Sequence, residues 1–239
     1  MKLRLIAACA AASLVLAGCG SMESLGSDEE VVAAAQQGCR QLDQKNRITS
    51  RYDARMRVIR QGLPSHVGGQ VLNYKVYDTK EMNAFAMPNG CVRVYSALLD
   101  KLTDDEVRAV LGHEIGHVAL RHSVQQYRTN RGVALTVGGL SAMSSVLTGG
   151  AVTGEGLAQI TYSMVNARYS QNLETEADNY SVDLLLREPD GKRKAAAMGT
   201  ALQKITSGGS SGMMQKMFGS HPDPASRIAN VKKRVENAK

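Results

Sequence analysis

Apolar residues recur at Val107, Val110, Leu111, Ile115, Val118 and Ala119, the spacing that turns one side of a helix toward a core. Ahead of them stands Thr103-Asp104-Asp105-Glu106, a hydroxyl followed three residues on by glutamate, which is a capping box. The pattern predicts a helix that starts at this box and continues through His122. Upstream the periodicity is different. Leu72, Tyr74 and Val76 alternate with Asn73, Lys75 and Tyr77, as in a strand. Asn83 to Met87 and Cys91 to Tyr95 read as two more strands, divided by the turn residues Pro88-Asn89-Gly90. Before them, Ser27 to Glu30 caps a helix reaching about Asn46, a second helix spans about Ser50 to Gln61, and Pro64 to Gln70 is a glycine-containing turn.

Beyond the capped helix, Val133 to Thr153 is rich in Gly, Ser, Ala and Val. Gly138-Gly139 and Gly149-Gly150 interrupt it, so it makes a poor membrane span and is expected to be a lid or a membrane-touching loop. A helix from about Glu155 to Arg187 follows, ended by Glu188-Pro189-Asp190-Gly191, and another runs from Lys192 to Thr206. The stretch Ser207 to Gly212 is expected to be flexible, with Met213, Met214 and Met217 beside it as core filler or an adaptable apolar contact. The order describes an α+β chain, mainly helical, with a small antiparallel or mixed sheet ahead of the capped helix.

That helix carries the chemistry. It contains His113-Glu114-Ile115-Gly116-His117, and histidines four apart lie on one face about one turn (~6 Å) apart, so both can reach one metal ion. Glu114 sits on a neighbouring azimuth, placed to deprotonate water without binding the metal itself. A metzincin would need Gly at position 120 and His at 123; Leu120 and Ser123 exclude that class. His122, taken as a continuation of the helix, is rotated ~140° from His117 and is expected to make a structural hydrogen bond. Further on, Glu174 and Asp178 in Glu174-Thr175-Glu176-Ala177-Asp178 share a helix face, with Glu176 turned away. Glu174 is the expected third ligand of one Zn²⁺ per chain, and Asp178 the acceptor that orients a ligand histidine.

With these strings on the page, the chain resembles the membrane-associated gluzincin peptidases related to the HtpX protease and the CAAX prenyl endopeptidases. Asn73 to Tyr77, Asn83 to Met87, Gly90 to Ser96, the helix through His122, Glu174 to Asp178 and His221-Pro222 carry the resemblance. It is nearest to periplasmic lipoprotein members, without the tetratricopeptide repeats that some of them add. The resemblance implies a compact zincin-like fold, one zinc, and hydrolysis of misfolded or misassembled envelope proteins. It also places His221 beside the zinc, with His221 and Arg227 as candidate donors to the developing oxyanion. His221 could instead cap the metal and hold the enzyme latent. Asn83, Ala84, Phe85 and Ala86 are the expected edge strand onto which an extended peptide would add. A non-proteolytic holding chaperone with a capped zinc site, and a processing peptidase with one native substrate, are the competing functions.

The termini and cysteines set the expected location. Lys2 and Arg4 precede an apolar run from Leu5 to Ala17, as in a secretory signal peptide. Its end, Leu16-Ala17-Gly18-Cys19, has the form of a lipobox. Residues 1–18 are therefore expected to be cleaved, 19–26 to be a tether lipidated on Cys19, and 27–239 to form the peptidase domain. Gly20, where a retention signal has aspartate, points to the periplasmic face of the outer membrane of a Gram-negative cell. Cys9 would leave with the leader, and Cys39 and Cys91 would remain to form one disulfide, two buried thiols being the alternative. Losing Lys2 and Arg4 lowers the formal charge from +7 to +5. The basic run Lys232-Lys233-Arg234 fits a solvated helix face, and no motif for nucleic acid accompanies it.

Overall fold

A computed structural model describes residues 28–126, 129, 161, 164–165, 168–207, 221 and 224–238. The chain begins with helices α1 (Asp28–Lys45) and α2 (Asp53–Ile59), then a short hairpin of β1 (His66–Val67) and β2 (Gln70–Val71). Strands β3 (Asn73–Tyr77), β4 (Ala84–Ala86) and β5 (Cys91–Tyr95) follow. Helices α3 (Ser96–Lys101), α4 (Asp104–Ala119), α5 (Gln171–Leu186), α6 (Gly191–Ser207) and α7 (Pro224–Asn237) complete the described elements. The expected signal peptide, Cys19, the segment 133–153 and the methionines at 213–217 lie outside the described residues. Among the described residues no helix is long and apolar enough to cross a membrane.

The three-stranded sheet is mixed. Its order is β3-β5-β4, with β3 parallel and β4 antiparallel to the central β5. Its apolar face (Val76, Val92, Val94) packs with Leu98 and Leu99 of α3 and with Val107, Val110, Leu111 and Ile115 of α4. The opposite side of α4 meets a second cluster, in which Ala109 joins Val182 and Leu185 of α5, Met198 of α6 and Val231 of α7. The ligand helix is thus covered on all sides, and every residue from Glu106 to Val118 is buried. Its start is fixed as the sequence predicts: Thr103 and Glu106 form a complete capping box.

Glycine lets α4 and α5 meet closely. A Cβ on Gly112 would lie 2.6 Å from Ser181 Oγ, and one on Gly116 would lie 3.1 Å from the Ala177 carbonyl oxygen. This approach brings the acidic face of α5 against the histidine face of α4. On the far side of the sheet, Cys39 of α1 and Cys91 of β5 form a disulfide with an S–S distance of 2.02 Å. Closing a loop of 52 residues contributes about 4 kcal/mol by chain entropy.

Several boundaries differ from expectation. Pro64 to Gln70 is more than a turn: it contains most of the β1–β2 hairpin, whose connecting Gly68 and Gly69 take φ of 57° and 78°. Helix α2 is shorter than predicted, and α3 was not foreseen. The helix expected from Glu155 begins anew at Gln171, where the Ser170 hydroxyl accepts from the Leu173 N–H. Helix α4 stops at Ala119, and Arg121, at φ 61°, turns the chain before His122.

Candidate metal centre

Helix α4 supplies His113 and His117, α5 supplies Glu174, and His221 enters ahead of α7. One ligand atom from each lies within 4.8 Å of all the others. The two Nε2 atoms of His113 and His117 are 3.0 Å apart, and each is 3.5 Å from an oxygen of Glu174. His221 Nδ1 is 3.3 Å from His113 Nε2 and 3.0 Å from Glu174 Oε1.

These spacings suit zinc. Tetrahedral bonds of ~2.0–2.1 Å separate neighbouring ligand atoms by roughly 3.3 Å, and nitrogen with carboxylate oxygen is a zinc donor set. Charge gives a second test. Glu114, Glu174 and Asp178 are three buried carboxylates facing one buried guanidinium, Arg227. With neutral imidazoles and ionised Glu174 and Asp178, the carboxylates outnumber the guanidinium, an excess that a bound cation offsets. Burial pushes His117 well below the usual histidine range, with nearby His113, His221, His122 and Arg227 acting the same way, so its lone pair is free to bind metal. Burial would raise Glu174, but His221, His113 and Arg227 outweigh it and keep the carboxylate ionised.

The ligands are themselves held. Asp178 Oδ1 is 2.8 Å from His113 Nδ1, which leaves Nε2 of that ring for the metal. Arg227 grips Asp178 through two bonds of 2.7 Å and reaches Glu174 Oε2 at 2.8 Å. Burial raises Asp178, yet the bonds from Arg227 and His113 hold it at about 2. Arg227 is therefore occupied by Glu174 and Asp178 of α5. His122 stands beside His117, their Nδ1 atoms 2.9 Å apart. Tyr169 stacks on the His117 ring at 4.0 Å, and its hydroxyl meets Ser123 Oγ at 2.7 Å. No periodicity or motif marks Tyr169; its place just before the Ser170 cap is the only sequence signal.

Glu114 lies beside the donor cluster, with Oε1 buried, without a hydrogen-bond partner, and 3.6 Å from His221 Nε2. Burial raises its pKa, against the pull of His221 and His113, and the Ala86 backbone N–H donates to it. That bond ties the site to the sheet edge. Tyr95 N–H donates to Asn83 O and Met87 N–H to Cys91 O, so alternate groups of Ala84 and Ala86 face away from β5. The side chains of Ala84, Phe85 and Ala86 are buried, and Asn83 Oδ1 has no partner. A cavity of about 20 Å³ opens next to Glu114 and His113, walled by Val110, Met198, Ala201, Leu202, Ile205 and Pro224.

The structure thus brings together His113, Glu114, His117, Glu174, Asp178, His221 and Arg227, with the expected edge strand alongside. The profile of Peptidase family M48 matches residues 56–235. Metalloprotease LoiP of Escherichia coli (strain K12) is 35% identical, over 98% of this chain and 98% of its own length. Metalloprotease YcaL of the same strain is 36% identical, over 89% of this chain and 83% of its own. The Beta-barrel assembly-enhancing protease of Yersinia pestis is 30% identical over 70% of this chain, which covers 35% of that longer relative.

Proposed function

This chain belongs to peptidase family M48 and is a zinc metalloendopeptidase, and from that premise we propose that it degrades misfolded or misassembled proteins of the bacterial envelope. In this reading His113, His117 and Glu174 hold the zinc. When bound, the metal supplies Lewis acidity, acidifying water and polarising the scissile carbonyl. Glu114 takes the proton of the attacking water and passes it to the leaving amine, a task suited to a buried carboxylate with a raised pKa. Asp178 and Arg227 keep His113 and Glu174 oriented, and the His221 imidazole donates to the developing oxyanion. The peptide lies along the outer edge of β4, where recognition through backbone bonds favours unfolded chains over a particular sequence.

The single observation that carries the catalytic part is the partnerless Glu114 oxygen beside the cluster of His113, His117, Glu174 and His221, since a purely structural zinc site has no use for a base. The location rests on sequence: Leu16-Ala17-Gly18-Cys19 supports lipid anchoring at the outer membrane, and the Cys39–Cys91 disulfide suits an oxidising periplasm. The assembly role in the printed name of the Yersinia relative supports quality control as the task. Cleavage of unfolded casein by the wild type and by Glu114→Gln, with zinc counted in both, tests the chemistry. A fall of about 10²–10⁴-fold with zinc retained is expected; equal cleavage by both would reject Glu114 as base. Fatty-acid labelling of the cell-expressed protein tests the anchor, and label that persists in Cys19→Ala sinks it.

A second reading has its own observation. His221 Nδ1 belongs to the same donor cluster as the three ligands, which suits a latent form capped by this residue. His221→Ala separates the two: faster basal cleavage means a cap, slower cleavage a transition-state donor.

A further inference from the structure

We propose that His122 and Glu176 are positioning residues for His117, forming a two-residue chain that dictates which nitrogen of His117 faces the zinc. The inference rests on the reading of His117 as a ligand. His122 reaches its place because α4 ends at Ala119 and Arg121, at φ 61°, redirects the backbone beneath the last turn. There it is buried, with Nδ1 2.9 Å from His117 Nδ1 and Nε2 3.2 Å from Glu176 Oε2.

With both rings neutral, one assignment of protons satisfies every atom in this chain. A carboxylate only accepts, so His122 Nε2 carries its proton and donates to Glu176. A neutral His122 then has a bare Nδ1, which accepts the proton on His117 Nδ1. His117 is left with its lone pair on Nε2, the atom lying 3.0 Å from His113 Nε2 and 3.5 Å from Glu174 Oε1. Outer partners of this kind fix ring orientation and raise ligand basicity.

The two ligand histidines are therefore supported by unlike means. His113 leans directly on Asp178, a fully buried carboxylate clamped by Arg227. His117 leans on a neutral ring whose carboxylate is 56% exposed at the surface. Glu176 points away from the metal, as its position between Glu174 and Asp178 requires, and serves the second histidine from that side.

Zinc affinity of the full chain, by chelator competition, tests this, with the melting temperature of the metal-free protein measured alongside. His122→Phe keeps a ring but no nitrogen and is expected to bind zinc about 10–100-fold more weakly. His122→Asn places an oxygen near the site of Nδ1 and should return to within about 5-fold of wild type. Glu176→Ala, at an exposed position, should cost about 3–10-fold alone and nothing further in the His122→Phe background. That lack of additivity is the mark of one chain of bonds. Equal cost of Glu176→Ala in both backgrounds, or no cost in either, would overturn the proposal, as would wild-type affinity in a folded His122→Phe. The ligand reading fails separately, through a His117→Ala chain that binds zinc as tightly as wild type.

Discussion

Ser181 Oγ donates to the Ala109 carbonyl at 2.7 Å, and it does so in the space that a Cβ on Gly112 would need, 2.6 Å from that same oxygen. The closeness of α4 and α5 depends on this exchange of a side chain for a hydrogen bond. Gly112→Ala is expected to destabilise the fold by about 1–3 kcal/mol, because Ser181 must leave its acceptor or the helices must part. Replacing Ser181 by Ala as well should return part of the loss, a coupling that urea unfolding of the two single variants and the double variant measures.

Arg227 holds Asp178 and Glu174 from inside the protein. In Arg227→Met two buried carboxylates lose their counter-charge, and a loss of about 3–5 kcal/mol is expected for the metal-free chain. Arg227→Lys should recover less than half of it, since an ammonium cannot reproduce the forked contact with Asp178 and the third bond to Glu174 together. Denaturant midpoints with chelator present, then with zinc added, give both numbers.

Asp43 offers a pH test away from the metal. Burial raises its carboxyl, but bonds from Arg93, Lys75 and Tyr77 prevail and hold it at about 2, against 3.8 for the free group. The folded value lies below the unfolded one, so the stabilisation is complete above about pH 4 and is lost as pH falls through 3.8 toward 2. The contribution is about 2 kcal/mol. Asp43→Asn should be less stable by that amount or more at pH 7, since Arg93 is buried, and the gap to wild type should narrow below pH 4. Urea midpoints in chelator between pH 3 and 7, disulfide intact, check it; a gap constant with pH would rule out this source.

Ala201 walls the small cavity beside Glu114. Ala201→Val should fill it and slow cleavage of peptides with an apolar side chain next to the scissile bond by about 10-fold, since a methylene or two in such a pocket is worth about 1–3 kcal/mol. Peptides with glycine there should be cut as before, with zinc content unchanged. Equal slowing of both series would show that the cavity does not receive a side chain.

Much of this was legible in the chain because the signals were local. Thr103 and Glu106 fixed the phase of α4, and helical spacing then put His113 and His117 together and turned Glu174 and Asp178 to the same face. What escaped depended on distant packing or on a change of direction. The wheel argument correctly turned Glu176 from the metal, but it carried α4 on through His122, whereas the left-handed Arg121 ends that geometry and delivers His122 to His117. Strands of two residues, such as His66–Val67, are too short for alternation to register. The six residues of α3 offer less than two turns of pattern. Tyr169 has no periodicity at all; its stacking on His117 exists only once α5 has docked.

Glu106 has a wider reach than a cap. Besides closing the start of α4, its carboxylate receives Lys204 at 2.8 Å and Thr200 at 2.9 Å, both on α6, which also carries Met198, Ala201, Leu202 and Ile205. One side chain thus indexes the helix that binds metal against the helix that shapes the cavity. Variation on the inner face of α6 can retune which substrates fit while the zinc site stays in place. Variation at position 106 would move both at once, so the route to a new cleavage preference runs through the wall of the cavity and leaves its hinge pin alone.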